Sequence, residues 1–333
     1  MQHLSALAPS SRATGEARRR LILAIALTLA AGACSSSTAG VKSGPESIAI
    51  LSDCAIPAAT DASAVNFALE VEYSRPGGQP QQLDVAWPRD GRAHPLVLFV
   101  HGGGWQEGDK LSERQYLLYL AGLGYSVATI NYRLASAPSN LFPAAIQDVR
   151  CALRWLRQNA SRYGIDPARV VAAGESAGGH LVSLLGTTPE LTTLDGPSCP
   201  VTGQSLVLSG VLSLYAPEDI RRGSDYNAFI EPTISNFLGA EPEATPQLAS
   251  LASPVAHVKP GAPPFLLVHG ALDALVPLEQ SSRMRDTLQR AGVPATLVVV
   301  PGAAHGFPYL STERIFRSST CTILAFLDKA LRP

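Results

Sequence analysis

The sequence predicts an α/β protein with a mostly parallel, doubly wound sheet, antiparallel N-terminal strands and a cap insertion. Two patterns carry this. From residue 94 onward, short runs that are apolar throughout recur along the chain, as expected of parallel strands covered on both faces. Stretches with helical character separate them, and strand–helix alternation marks this architecture, whose crossovers are nearly always right-handed. At 333 residues the chain fits one such domain.

The elements follow in order. Residues 67–73 and 82–87 read as strands, because apolar and polar residues alternate in Leu69-Glu70-Val71-Glu72-Tyr73 as on a half-exposed sheet. Arg75-Pro76-Gly77-Gly78 supplies the turn between them. The apolar runs that follow are 95–100, 125–130, 170–173, 206–215, 264–268 and 295–300. Helices are expected over 112–123, 142–163, 177–185, 278–291 and 313–331. In the second of these, Ala145, Val149, Ala152, Leu153 and Leu156 form an apolar stripe. Residues 216–263 break the rhythm: they are rich in Pro and acidic residues and have no pattern of their own. A connection of that length is usually a lid or binding loop, so it is expected to cap a pocket.

The N-terminus differs in kind. Arg18, Arg19 and Arg20 precede an apolar run over 21–31 and then small residues, the layout of a signal peptide. The run is too short to cross a bilayer, which takes about twenty residues. Residues 1–33 are therefore expected to be a signal peptide, residues 34–60 a flexible tether, and residues 61–333 the folded domain. Ala31-Gly32-Ala33-Cys34-Ser35 resembles a bacterial lipoprotein processing site, which implies a lipid on Cys34 and possible membrane anchoring; ordinary cleavage near Ala33 is the alternative. The protein is expected to be exported, whether periplasmic, lipid-anchored or secreted.

Hydrophobic residues make up 46% and charged residues 16% of the chain, the composition of a compact globular protein. The leader carries +3 of a total of −1, leaving −4 on the rest. That argues against a nucleic-acid partner, which normally demands a basic face. Cys54, Cys151, Cys199 and Cys321 show no metal-ligand spacing; they could form two disulfides in three connectivities, or sit as small buried hydrophobes.

Two motifs carry chemistry. Gly174-Glu175-Ser176-Ala177-Gly178-Gly179 follows the apolar run 170–173 and opens a helix. A sharp strand-to-helix turn places the serine at a strained apex, and glycines on either side avoid collisions there. His101-Gly102-Gly103-Gly104-Trp105 directly follows another strand. Acyl-bond hydrolysis develops negative charge on the carbonyl oxygen, which preorganised backbone amides stabilise. The amides of Gly103, Gly104 and Ala177 are the candidates for this oxyanion hole.

A serine hydroxyl needs a base, and the base needs an acid to orient it. Of seven histidines, His3 lies in the leader, His94 before a strand, and His101 in the glycine loop. His180 is placed on the helix body, His257 in the cap, and His269 at a strand end. His305 remains, in a loop flanked by glycines after the last strand. Asp273 follows the preceding strand and is the candidate acid; a helix-capping aspartate is the plainer reading.

With these motifs the chain resembles the α/β-hydrolase superfamily, and within it the HGGG-type esterases and lipases akin to hormone-sensitive lipase. HGGGWQEGDK at 101–110, GESAGGHL at 174–181 and SPVAHV at 253–258 are also similar to the feruloyl/acetyl-xylan esterase branch. The order Ser176, Asp273, His305 agrees with that superfamily. The resemblance implies a carboxylic-ester hydrolase with no metal or organic cofactor, acting on a small or carbohydrate-linked ester. Trp105 and Glu175 are expected to line the substrate site, and His257 and Tyr226 are further candidates in the cap. A serine peptidase or amidase, or a non-catalytic binding protein, would use the same fold.

Overall fold

A computed structural model of the chain describes residues 49–58, 62–228 and 230–332. The expected leader, Cys34 and the first part of the expected tether lie outside these residues.

Eight strands form one sheet: β1 (Val65–Ser74), β2 (Gln81–Pro88), β3 (His94–Val100), β4 (Ser126–Ile130), β5 (Ile165–Glu175), β6 (Gly210–Leu214), β7 (Phe265–Gly270) and β8 (Ala295–Val300). Their order is β1-β2-β4-β3-β5-β6-β7-β8. β1 and β2 pair antiparallel, β2 pairs antiparallel with β4, and every later pair is parallel. Helices α1 (Arg114–Gly122), α2 (Ala144–Gln158), α3 (Ala177–Thr187), α4 (Glu231–Leu238), α5 (Pro246–Leu251), α6 (Glu279–Arg290) and α7 (Arg317–Leu331) complete the chain.

Strand β3 shows why its residues are apolar without alternation. Leu96, Leu98 and Val100 face a core shared with α2, α3 and α6, while Val97 and Phe99 face a second core shared with α1 and α7. Both faces are buried, so no position is left for a polar residue.

Four segments depart from the sequence reading. β5 begins at Ile165, ahead of the expected 170, because residues 165 and 166 pair with β3 before a register shift. In β1 the alternation is interrupted by a bulge at Glu70, whose φ is 55°; the register jumps between Ala68 and Val71. The Glu70 amide donates to Asp84, and its carboxylate pairs with buried Lys110 at 2.7 Å. As the edge strand, β1 leaves Phe67 and Leu69 51% and 47% exposed. The apolar run from 206 begins pairing as a strand only at Gly210, because the Arg157 guanidinium takes the carbonyls of Ser205 and Val207. The cap is not patternless: α4 and α5 lie within it and bury Ile234, Phe237, Leu238 and Ala249.

Two disulfides select one of the three connectivities, Cys54–Cys321 and Cys151–Cys199. The first ties residues 49–58, expected as part of a free tether, to α7. Leu51 also bonds Thr322 and Ser318, and Arg317 pairs with Asp53. Any free tether therefore ends before this segment.

Candidate active site

Ser176 sits between β5 and α3 with φ 50° and ψ −119°, a region costly for any residue with a side chain. Its surroundings explain the glycines. A Cβ on Gly178 would lie 2.0 Å from the Val100 carbonyl oxygen, and one on Gly174 would lie 2.5 Å from the Gly178 backbone. The turn closes only with bare backbone at these points. The Ser176 amide donates to the Leu214 carbonyl at 2.8 Å, fastening the apex to β6.

Asp273 and His305 arrive on neighbouring loops after β7 and β8. These loops are joined where Leu272 N donates to Ala303 O at 2.9 Å; a Cβ on Gly270 would meet that same oxygen at 2.4 Å. His305 Nδ1 lies 2.7 Å from Asp273 Oδ2, and its Nε2 lies 2.9 Å from Ser176 Oγ. A carboxylate accepts only, so Nδ1 carries the proton and Nε2 offers its lone pair to the serine.

The Asp273 carboxylate is wholly buried. Its Oδ1 accepts from the amides of Leu275 and Val276 at 3.0 and 2.9 Å. Burial alone would raise its pKa, but hydrogen bonds from His269, His305 and the Val276 amide outweigh it and hold the carboxyl well below the usual range. His269 Nε2 donates to Val276 O at 2.9 Å and stands 3.3 Å from Asp273 Oδ2; its Nδ1 contacts Ser281 Oγ at 2.7 Å. The aspartate is thus clamped from its own strand end.

The glycine loop curls over the serine. Gly103 and Gly104 have φ of 96° and 57°, and a Cβ on Gly103 would lie 2.2 Å from the Glu107 carbonyl. Among the described residues the amides of Gly103, Gly104 and Ala177 donate no hydrogen bond within the protein, and all three residues line a cavity of about 510 Å³ that also exposes Ser176 and His305. The cap closes one side with Pro217, Ile230 and Thr233, and Leu275 and Val276 close another.

The substrate-lining candidates fall out differently. Trp105 lines the cavity but is also a core residue: it stacks on Phe237 at 4.2 Å, and its Nε1 donates to His180 Nδ1 at 3.2 Å. His180, set aside as a base because it sits on the helix body, bridges that indole to the Ala252 carbonyl at 2.7 Å. Glu175 borders the cavity, yet both carboxylate oxygens are already engaged. Oε1 accepts from Gly102 N at 3.3 Å and Oε2 from the Tyr215 hydroxyl at 2.7 Å. It supports the loop instead of offering a free group to substrate. His257 bonds the Leu251 carbonyl and Tyr226 the Asp219 carbonyl; both serve the cap's own folding, and neither lines the cavity.

A serine at a strained strand–helix apex, with a histidine and a carboxylate brought from the ends of later strands, defines an α/β-hydrolase. Comparisons place the chain within that class. A family model described as BD-FAE matches residues 83–288, and the chain belongs to that family. A probable carboxylic ester hydrolase of Mycobacterium tuberculosis, LipM, is 32% identical over 247 residues, 71% of this chain and 56% of that relative. The matching region thus spans little more than half of the relative's length. Among solved structures, a truncated carbohydrate esterase from gut microbiota superposes with a TM-score of 0.70 over 83% of this chain and 100% of that one, at 24% identity. The propionate-bound esterase Est2 of Thermogutta terrifontis gives a TM-score of 0.66 over 82% and 98%, at 26% identity.

Proposed function

We propose that this chain is a serine carboxylic-ester hydrolase that turns over through an acyl-enzyme. The observation that carries the reading is the unbroken relay from Asp273 to His305 to Ser176, at 2.7 and 2.9 Å, opening on a cavity rimmed by unengaged backbone amides. Ser176 Oγ attacks the ester carbonyl carbon while its proton passes to His305 Nε2. Amides of Gly103, Gly104 and Ala177 meet the charge that develops on the carbonyl oxygen. The alcohol leaves with the proton from His305; a water then gives its proton to the same nitrogen as it attacks the acyl carbon, and Ser176 Oγ leaves with that proton as the free acid is released.

Relatives described as carboxylic ester hydrolase and esterase favour esters over amides. The propionate found with Est2 favours a short acyl group; carbohydrate-linked and other small alcohols are both compatible with the open cavity. Ser176→Ala should lower turnover of an aryl acetate to background with the fold intact; retained turnover would refute the assignment.

We infer further that the protein is exported, by a signal peptide over 1–33, with a lipid on Cys34 as the anchoring variant. Two disulfides support an oxidising compartment. Mass measurement of the exported chain's N-terminus separates lipidation at Cys34 from cleavage without it.

A further inference from the structure

Tyr215 is named by no motif, yet it touches both halves of the candidate machinery. It follows β6 directly and has φ 39°, one of five non-glycine residues at positive φ among the described residues. Such a conformation persists only where the surroundings over-determine it. Here the Tyr215 amide donates to the Val268 carbonyl at 2.8 Å, and the ring is fully buried. The ring meets His305 edge-on, with centroids 4.9 Å apart and planes at 68°, and meets Phe307 at 5.0 Å. Its hydroxyl donates to Glu175 Oε2 at 2.7 Å, and the other oxygen of that carboxylate receives the Gly102 amide.

We propose that Tyr215 is a positioning residue: its hydroxyl holds the Glu175 carboxylate against the glycine loop, setting the amides of Gly103 and Gly104, while its ring flanks the His305 imidazole. This rests on the ester-hydrolase reading and adds a specific support to it. The geometry leaves little slack, since a Cβ on Gly102 would lie 2.9 Å from Glu175 Oε1. Carboxylate and loop backbone are in contact, so movement of one moves the other. Burial, reinforced by the Glu175 charge, pushes the phenol well above its ordinary range, so the hydroxyl remains a donor throughout any working pH.

Oxyanion donors act on the transition state more than on bound substrate, so their displacement lowers kcat and spares KM. Deleting such a donor costs roughly 100- to 1000-fold; displacing it should cost less. Tyr215→Phe keeps the ring and removes the hydroxyl. We expect a loss of roughly 10- to 50-fold in kcat on an aryl acetate, with KM within about threefold of wild type. Glu175→Gln should show a loss of similar kind, and the double variant should be no worse than Glu175→Gln alone, because both act through one link. If Tyr215→Phe does not fold, Gly102→Ala perturbs the same link from the loop side and should give the same selective loss in kcat. Wild-type kcat in a folded Tyr215→Phe, or losses that multiply in the double variant, overturns the proposal. Ser176→Ala, run in parallel, keeps the two readings apart. If it is inactive while Tyr215→Phe is fully active, only the role of Tyr215 falls; if it stays active, the serine mechanism falls, and this role with it.

Discussion

Replacing Asp273 with asparagine tests the relay at its most constrained point. Oδ1 accepts from two backbone amides, Leu275 and Val276, so an asparagine would keep its carbonyl oxygen there. Its NH2 group would then occupy the place of Oδ2, 2.7 Å from His305 Nδ1 and 3.3 Å from His269 Nε2. A donor facing Nδ1 forces that nitrogen to accept, which moves the imidazole proton to Nε2 and aims it at Ser176 Oγ. The histidine can no longer take the serine proton. Loss of the working tautomer in a serine–histidine–aspartate relay costs about 10⁴ in kcat, or about 5.4 kcal/mol in the barrier.

The effect on folding should be far smaller. His269 Nε2 retains the Val276 carbonyl as acceptor, but the second N–H of the new amide faces the His269 N–H instead of an acceptor, so roughly 1–3 kcal/mol is expected. Its pH dependence has a definite sign. The Asp273 carboxyl is held below its ordinary value of 3.8, so the ionised form stabilises the native state above that pH, and this contribution disappears as pH falls through the lower native value. The stability gap between wild type and Asp273→Asn should narrow below pH 3.8. Aryl acetate turnover gives the first quantity and thermal melts from pH 7 downward the second. A folded Asp273→Asn retaining activity within tenfold of wild type would refute the tautomer argument.

Two further predictions concern stability. Glu218, at the start of the cap segment, is fully buried, with Oε1 accepting from Ser183 and Ser213, and burial pushes its carboxyl up to about 8. The unfolded chain releases that proton near 4.5, so the native state holds the extra proton between these values and its stability should fall as pH rises across them. Glu218→Gln, which mimics the neutral acid, should gain on wild type from pH 5 to 8 in urea titrations; parallel profiles would contradict the burial argument. Replacing Cys54 and Cys321 together by alanine removes a crosslink between positions 267 apart and should cost roughly 2–4 kcal/mol. Limited proteolysis should then cut within residues 49–58, and an unchanged melting temperature would show that the crosslink contributes nothing.

What was legible in the sequence is what the backbone alone determines. β3 and the inner part of β5, residues 170–173, read correctly because burial on both faces excludes polar residues, whereas the half-exposed start of β5 over 165–169 did not; the serine turn read correctly because Gly174 and Gly178 stand where a Cβ would meet backbone atoms. Beyond Ser176, His305 and Asp273, which motif and chain order pointed to, partnerships between side chains were not legible. Tyr215, His180 and His269 are ordinary residues at unremarkable spacing, and each gains its role from an element 40 or more residues away, or from a turn whose shape no motif announces. Tyr215 meets Glu175, and His180 meets Trp105 and Ala252, only after the sheet has formed. Helices α4 and α5 escaped because eight and six residues are too few to establish a helical period. The pairing of the four cysteines escaped because spacing does not determine connectivity.

The convergence of three distant side chains has a simple origin in the sheet. The ladder does not stop where the strands end. Ser176 N donates to Leu214 O beyond β5, Tyr215 N to Val268 O beyond β6, and Ala271 N to Val300 O beyond β7. Each strand therefore carries its chain one residue past its end in register with its neighbour, and only then lets it turn. At two of these points, Ser176 and Tyr215, the turn requires positive φ, which aligned hydrogen bonds can enforce and a loose loop could not. One such rung hangs the serine from β6, and the next, one strand further along the sheet, hangs the tyrosine from β7. Nucleophile and support are consequently fixed relative to one another by main-chain bonds, without any contact between their own side chains.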